Sequence, residues 1–307
     1  MESDLGLWAI PLAVIGGAIR VSTPILFVSL GETLTERSGR INLGLEGTLV
    51  FGAMAAYATA VLSGSPWLGV LVGALCGAVF GLIHGVICSI PKVNDIAIGI
   101  AMMLLGTGLA FYFGKPFIQP VAPDLPAIPL GWWSDLPQVQ AALNVNVLFV
   151  IGLIAALALA WALRATRPGL ILRVVGDSTD AARAMGLRPA MIRTMATAIG
   201  GAFAGIGGSY LSLYYPGSWN EGISSGQGLM AVALVIFARW SPINCFWAAL
   251  LFGGAGALGP ALQSVGVTQG YYLFYAAPYI LTLGVLIATS STSRALTGAP
   301  GELSITK

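Results

Sequence analysis

Charge is what this sequence has least of. Asp, Glu, Lys and Arg make up 8% of its 307 residues, and His84 is the sole histidine. A chain so poor in charge offers no basic groove, and its net +2 carries no nucleic-acid meaning because the few cations sort by membrane side. One histidine excludes most hydrolase schemes, and neither a GxxxxGK[ST] phosphate loop nor an HExxH pair occurs. Any ATP that serves this protein is therefore expected on another chain. Cysteine is scarce as well: Cys76, Cys88 and Cys245 lie in apolar runs without CxxC or Cys/His spacing, so no disulfide framework and no metal site is indicated. They read as small core residues. No basic residue precedes Arg20, whereas Glu2 and Asp4 stand near the start. That is the reverse of a signal peptide's positive opening, and no cleavage is expected.

What the sequence has instead is apolar surface and glycine. With 57% hydrophobic residues, 41 glycines and a mean hydropathy of +0.87, the chain reads as an all-α, polytopic membrane protein with closely packed helices. Residues 1–307 form one transmembrane domain in this reading. Residues 5–19, holding Pro11 and two adjacent glycines, suggest an interfacial or partly inserted helix, and 20–37 the first crossing. The uncharged run 48–90, divided at Ser63-Gly-Ser-Pro66, predicts a helical hairpin. A crossing at 96–114, a structured interfacial loop at about 115–141 with Trp132-Trp133, and a crossing at 143–163 follow. Beyond these come a crossing at 194–215 ending among Tyr210, Tyr214, Tyr215 and Trp219, aromatics that suit an interface belt, a short or half-inserted helix at 225–238, and two helices in 240–293 split near 264–270. The total is about eight transmembrane helices with broken or re-entrant segments.

One long polar stretch interrupts this pattern. Residues 164–193 hold six of the fourteen Lys and Arg residues, and apolar runs flank them, so the stretch is a loop in water. Asp177, Ser178 and Thr179 offer N-cap oxygens, Asp180 to Met185 are good helix formers, and Gly186 suits a left-handed stop. Pro189 then takes a first-turn position in the next membrane helix. Placing this loop in the cytoplasm puts Arg37, Arg40, Lys92, Arg239, Arg294 and Lys307 on the same side and leaves Arg20 and Lys115 outside. The N-terminus is then outside and the C-terminus cytoplasmic.

Two polar clusters lie at membrane depth. In the first, Asn42 and Glu46 stand four residues apart, among glycines that interrupt the helix. Either Glu36, Arg37 and Arg40 form a solvated inner turn with Glu46 paired to an arginine, or Asn42 and Glu46 line a solute path. The second runs from Asn220 through Gln227 to Gly228, and reads as an outer loop or as the mouth of the path. Tyr214 and Trp219 are able to stack a ring or to anchor at the interface.

Three stretches together resemble a known family. They are Glu36-Arg-Ser-Gly39 with Asn42-Leu-Gly-Leu-Glu-Gly47, Gly176-Asp-Ser-Thr-Asp-Ala-Ala-Arg-Ala-Met-Gly186, and Gly226-Gln-Gly-Leu-Met-Ala-Val-Ala-Leu-Val-Ile-Phe237. They resemble the permease subunits of ATP-binding cassette importers, in the branch for branched-chain amino acids and simple sugars and within it the nucleoside type. The sequence departs from that family's commoner pattern at Arg239, where a small, glycine-like residue is frequent before the Trp, and at Arg40, where an apolar residue is usual. The resemblance implies that the short cytoplasmic helix docks on a separate ATPase, through Asp177, Thr179, Asp180, Arg183, Met185 and Gly186. It also implies ATP and Mg bound by that partner, no cofactor in this chain, a second permease of related sequence, an extracytoplasmic binding protein, and a place in the bacterial inner membrane. Nucleosides or a related sugar-containing solute are the expected cargo. The alternatives are a sugar or branched-chain amino acid permease and, from another class, an ion-coupled secondary transporter.

Overall fold

The computed structural model describes residues 9–264, 274, 276–289 and 299–304. Glu2, Asp4, the expected split at 265–270, Arg294 and Lys307 lie outside the described residues. Among the described residues the protein is a helical membrane bundle. Seven helices are long and apolar enough to cross a membrane, with a shorter apolar one beside them.

Helix α1, Ala9–Arg37, is continuous over 29 residues and about 43 Å at 1.5 Å per residue. It corrects the expectation of a separate interfacial segment at 5–19. Arg20 does not end the helix; from its middle the guanidinium reaches the carbonyl of Ala141. The N-terminal turns pack against neighbours instead of lying flat, with Gly16 set against the Ala142 backbone and Gly17 against Ala257. Helices α2 (Leu45–Ser63) and α3 (Pro66–Ile87) form the expected hairpin. Gly64 closes α2 in the left-handed conformation (φ 71°), and the Ser65 hydroxyl accepts the Leu68 N–H with Pro66 in the first turn of α3. Helix α4, Asp95–Gly114, opens on Asn94, whose Oδ1 accepts the N–H groups of Ile96 and Ala97.

The loop after α4 is structured, as its prolines and tryptophans suggest. Strand β1 (Ala127–Pro129) pairs antiparallel with β2 (Asn144–Asn146), and α5 (Pro137–Ala142) lies between them. Tyr57 donates its hydroxyl to Pro120, and Leu125 N–H donates to Leu213, so the loop is pinned to the bundle end. Trp132 and Trp133 are exposed there, whereas Tyr210 and Trp219 are buried. The expected aromatic belt around Tyr210 and Trp219 is thus replaced by a packed layer, in which Tyr210 lies against Tyr214 and Trp219 against Gly114 at the end of α4.

Helix α6 (Val147–Ala165) leads into α7 (Arg167–Asp177) and α8 (Thr179–Ala184). Helix α9, Pro189–Leu213, then runs through the centre of the bundle against α1, α2 and α3. Glycine decides how close it comes. A Cβ on Gly77 would fall on the carbonyl oxygen of Gly201, and one on Gly205 on that of Gly73, so α3 and α9 meet backbone to backbone. In lipid, where apolar burial gives little net drive, such contact is the main source of helix association. Helices α10 (Gln227–Phe237), α11 (Pro242–Ser264), α12 (Ala277–Thr289) and α13 (Gly301–Ser304) complete the described elements.

Substituting Gly77 by Val forces α3 and α9 apart and should cost about 1–3 kcal/mol, read as a lower thermal midpoint of the purified protein in detergent. Gly108→Ala is the control: nothing lies within 4 Å of the added Cβ, and helix propensity favours Ala by about 1 kcal/mol, so its midpoint should hold or rise.

Candidate functional site

The chain breaks twice, and the breaks meet. After Arg37, residues 38–44 turn back beside α1 before α2 begins. Gly39 takes a left-handed conformation (φ 87°), and the Asn42 N–H donates to Glu32 Oε1 at 2.8 Å. Asn42 Oδ1 accepts the Gly44 N–H at 2.9 Å, a local turn that aims the first turn of α2 inward. The second break is 214–226, after which α10 runs for 11 residues, about 16 Å. That is roughly half of a 30 Å hydrocarbon layer, so the expected half-inserted helix at 225–238 is a half-helix whose N-terminus opens inside the bundle.

Glu46 closes that N-terminus. Its Oε1 accepts the Ser224 hydroxyl at 2.6 Å and the Gly226 N–H at 3.2 Å, and its Oε2 accepts the Gly228 N–H at 2.6 Å. Gly228 allows the approach, for a Cβ there would meet Glu46 Oε2 at 2.6 Å. The first N–H groups of a helix lack internal partners, and a carboxylate is their best acceptor because it also meets the positive end of the helix dipole. Glu46 and Gln227 are thus brought together; Gln227 Oε1 is enclosed and has no partner among the described residues. Gly222-Ile-Ser224-Ser-Gly226 carries the Gly-x-Ser-x-Gly spacing of a nucleophile elbow, but the Ser224 hydroxyl is donated to Glu46, and His84 Nε2 lies 3.6 Å from Cys88 Sγ.

The other end of α10 is held as firmly. Trp240 donates its indole N–H to Glu36, and its carbonyl accepts from Arg37 Nε at 3.1 Å. Arg40 pairs with Asp95 at 2.9 Å. Glu36 and Arg40 are buried, so the alternative of a solvated inner turn gives way to one enclosed by α4 and the end of α10. Arg239 and Trp240 have φ of 50° and 54°, a region glycine enters most easily.

The remaining sequence candidates lie in the second break but are not brought to Glu46. Asn220 is exposed, and its Oδ1 accepts the Gly222 N–H at 3.1 Å. Tyr214 donates to the Asn144 carbonyl at 3.4 Å, and Trp219 is buried against Gly114. Both therefore sit toward the 115–141 loop.

The polar stretch lies at the opposite end. The expected short helix is α8, capped by the Ser178 hydroxyl, which accepts the Ala181 N–H at 3.2 Å, with Gly186 left-handed (φ 76°) beyond it. Helix α7, absent from the expected elements, precedes it; the Thr166 hydroxyl that caps it and Pro168 in its first turn are the local signal that marks it. Asp180 and Arg183 side chains are 94% and 67% exposed, forming one loose pair at 3.4 Å, and Met185 is exposed beside them. Asp177 and Gly186 are exposed too. Thr179 faces the other way: its N–H donates to Glu302 at 2.7 Å and its hydroxyl accepts from Arg193 at 2.9 Å. Desolvation opposes the Glu302 charge, but the Thr179 N–H and hydroxyl and the Arg193 guanidinium outweigh it and hold the carboxyl below the ordinary range.

Residues 14–289 match the family described as branched-chain amino acid transport system / permease component. The chain belongs to that family. Among its relatives, the putative glucose ABC transporter permease protein TsgC13 of Haloferax volcanii is 33% identical over 259 residues, 83% of this chain and 79% of the relative. The guanosine ABC transporter permease protein NupQ of Bacillus subtilis is 29% identical over 286 residues, 88% and 89% of the two chains. The nucleoside ABC transporter permease protein NupC of Lactococcus lactis is 28% identical over 294 residues, 89% and 90%. This permease is therefore a multi-pass transport subunit of an ATP-binding cassette system, and the half-helix capped by Glu46 lies in its membrane domain.

Glu46→Ala leaves two backbone N–H groups and one hydroxyl without an acceptor, at about 1–3 kcal/mol for each orphaned group. Glu46→Gln keeps an acceptor and should lose much less. Thermal midpoints in detergent should fall in the order Glu, Gln, Ala; three equal midpoints would show the cap to be dispensable.

Proposed function

We propose that this permease imports nucleosides, or a related sugar-containing solute, across the bacterial inner membrane by alternating access driven by separate ATPase subunits. The N-terminus lies outside and the C-terminus in the cytoplasm, following the distribution of Lys and Arg. The observation that carries the coupling role is the surface of α8, where Asp180, Arg183 and Met185 project free of the bundle while Ala182 is buried beneath them. A short, capped helix with its charges outward is a surface for a partner, and the partner that an ATP-binding cassette permease requires is the ATPase, which binds ATP and Mg. A second permease of related sequence and an extracytoplasmic binding protein complete the proposed complex.

The solute assignment is supported by the relatives named for nucleosides and guanosine and by the charge at the break. A half-helix N-terminus inside a membrane protein attracts anionic solute groups; here the Glu46 carboxylate already occupies that end, which favours an uncharged solute. Asn42, Glu46 and Gln227 are the residues closest to that break, with Asn220, Tyr214 and Trp219 toward its outer side. The relative named for glucose, at 33% identity, favours a sugar as the second reading. An ion-coupled carrier has no support from the family.

The test is ATP hydrolysis and uptake by the complex purified with its ATPase and reconstituted in vesicles. Guanosine or another nucleoside should stimulate hydrolysis and accumulate, whereas stimulation by glucose alone would move the sugar reading to first place. Asp180→Lys and Arg183→Glu should each lower uptake about tenfold, or about 1.4 kcal/mol of coupling, with the membrane fold intact. Normal coupled uptake in both would remove α8 from the docking role.

A further inference from the structure

Arg193, in the second turn of α9, is the side chain through which four separate stretches meet. Its Nε donates to the Ser38 carbonyl at 2.9 Å, in the turn that follows α1. Its Nη2 donates to the Val175 carbonyl at 3.1 Å, near the end of α7, and to the Thr179 hydroxyl at 2.9 Å, in the first residue of α8. The same nitrogen lies 3.5 Å from the Glu302 carboxylate, which also accepts the Thr179 N–H. Arginine suits this place because its planar fork holds several acceptors in fixed directions at once.

Three glycines let the stretches come this close. A Cβ on Gly39 would meet Arg193 Nη2 at 2.9 Å and Glu302 Cβ at 3.1 Å, one on Gly176 would fall on the Arg37 carbonyl oxygen, and one on Gly301 on that of Asp177. From Ser38 the chain runs through Asn42, bonded to Glu32, and on to Glu46 at the start of α10. The exposed face of α8 and the N-terminus of the half-helix are thus joined by one guanidinium and the short stretch 38–46.

We propose that Arg193 is a positioning residue for ATP coupling: it fastens α8 to the turn at Ser38, so that displacement of α8 is delivered along residues 38–46 to the cap of α10. This rests on the reading of α8 as the ATPase-docking helix. Glu302 secures the same joint from the 299–304 segment by holding the first N–H of α8 and the guanidinium together. Packed side chains and hydrogen-bond networks are one route by which coupling between distant sites travels; in this proposal the route ends on α10, held at Glu46 and at Trp240.

The experiment compares the purified complex carrying Arg193→Ala, Arg193→Lys or Thr179→Val in vesicles, measuring solute uptake per ATP hydrolysed and the amount of ATPase retained. Arg193→Ala should keep the ATPase bound, make hydrolysis independent of solute, and lower uptake per ATP about two- to thirty-fold. Arg193→Lys, a single point charge without the fork, should fall between, and Thr179→Val should reproduce the loss on a smaller scale. An unchanged uptake-to-ATP ratio in Arg193→Ala overturns the inference, and so does a proportional loss of uptake and of bound ATPase, which marks a merely structural role. If Arg193→Ala fails to fold, Thr179→Val decides: an unchanged ratio overturns the inference. Normal coupling in the Asp180→Lys and Arg183→Glu complexes, with Arg193 intact, removes the docking role of α8, and this inference with it.

Discussion

A helix that begins inside a membrane protein leaves N–H groups that water does not reach, and the carboxylate of Glu46 is their acceptor. Much of the architecture follows from the need to bring it there. Glu46 must stand in the first turn of α2, so α2 must start at depth, so the chain after α1 must fold back before it can go on. Glu32 holds that return by accepting the Asn42 N–H, and Gly39 supplies its left-handed corner. At its far end α10 is fastened to α1 through Trp240, Glu36 and Arg37. A half-helix tied at both ends has few positions open to it.

Glycine sets the distances over which these ties operate. Across α3 and α9 the pairs Gly77 with Gly201 and Gly73 with Gly205 replace side-chain interdigitation by backbone contact. The same device recurs at the α8 end, where Gly39, Gly176 and Gly301 admit the Arg193 joint. A bundle packed so closely transmits displacement with little slack, because dense interiors are not continuously deformable.

The hairpin of α2 and α3, the capped helix α8 and the proline start of α9 were legible from local rules, each resting on a few adjacent residues such as Ser65-Pro66 or Ser178 and Gly186. The half-helix was legible in outline from the glycines around Gln227. The continuity of α1 was not, since Arg20 in an apolar run has the signature of an interfacial anchor and only its contact with Ala141 shows it facing the loop at mid-helix. Nor was the burial of Glu36 and Arg40: four residues apart with Arg37 between them they look like a wet turn, and their partners Trp240 and Asp95 are distant in the chain. Trp219 looked like a belt residue for the same reason, because the end of α4 that buries it lies far along the chain.

By itself the sequence determined the class: too little charge and too much apolar length for anything but a bundle in lipid, with one polar loop bearing a capped helix and two glycine-rich polar clusters at depth. Periodicity and capping are local properties, so a linear reading captures them. Only the tertiary structure decided that the two clusters meet, with Glu46 the cap of α10, and that Arg193 joins α8 to the turn leading there. The physical reason is that a buried polar group is satisfied by whatever partner the packing brings to it, and for Glu46 and Arg193 those partners lie far along the chain.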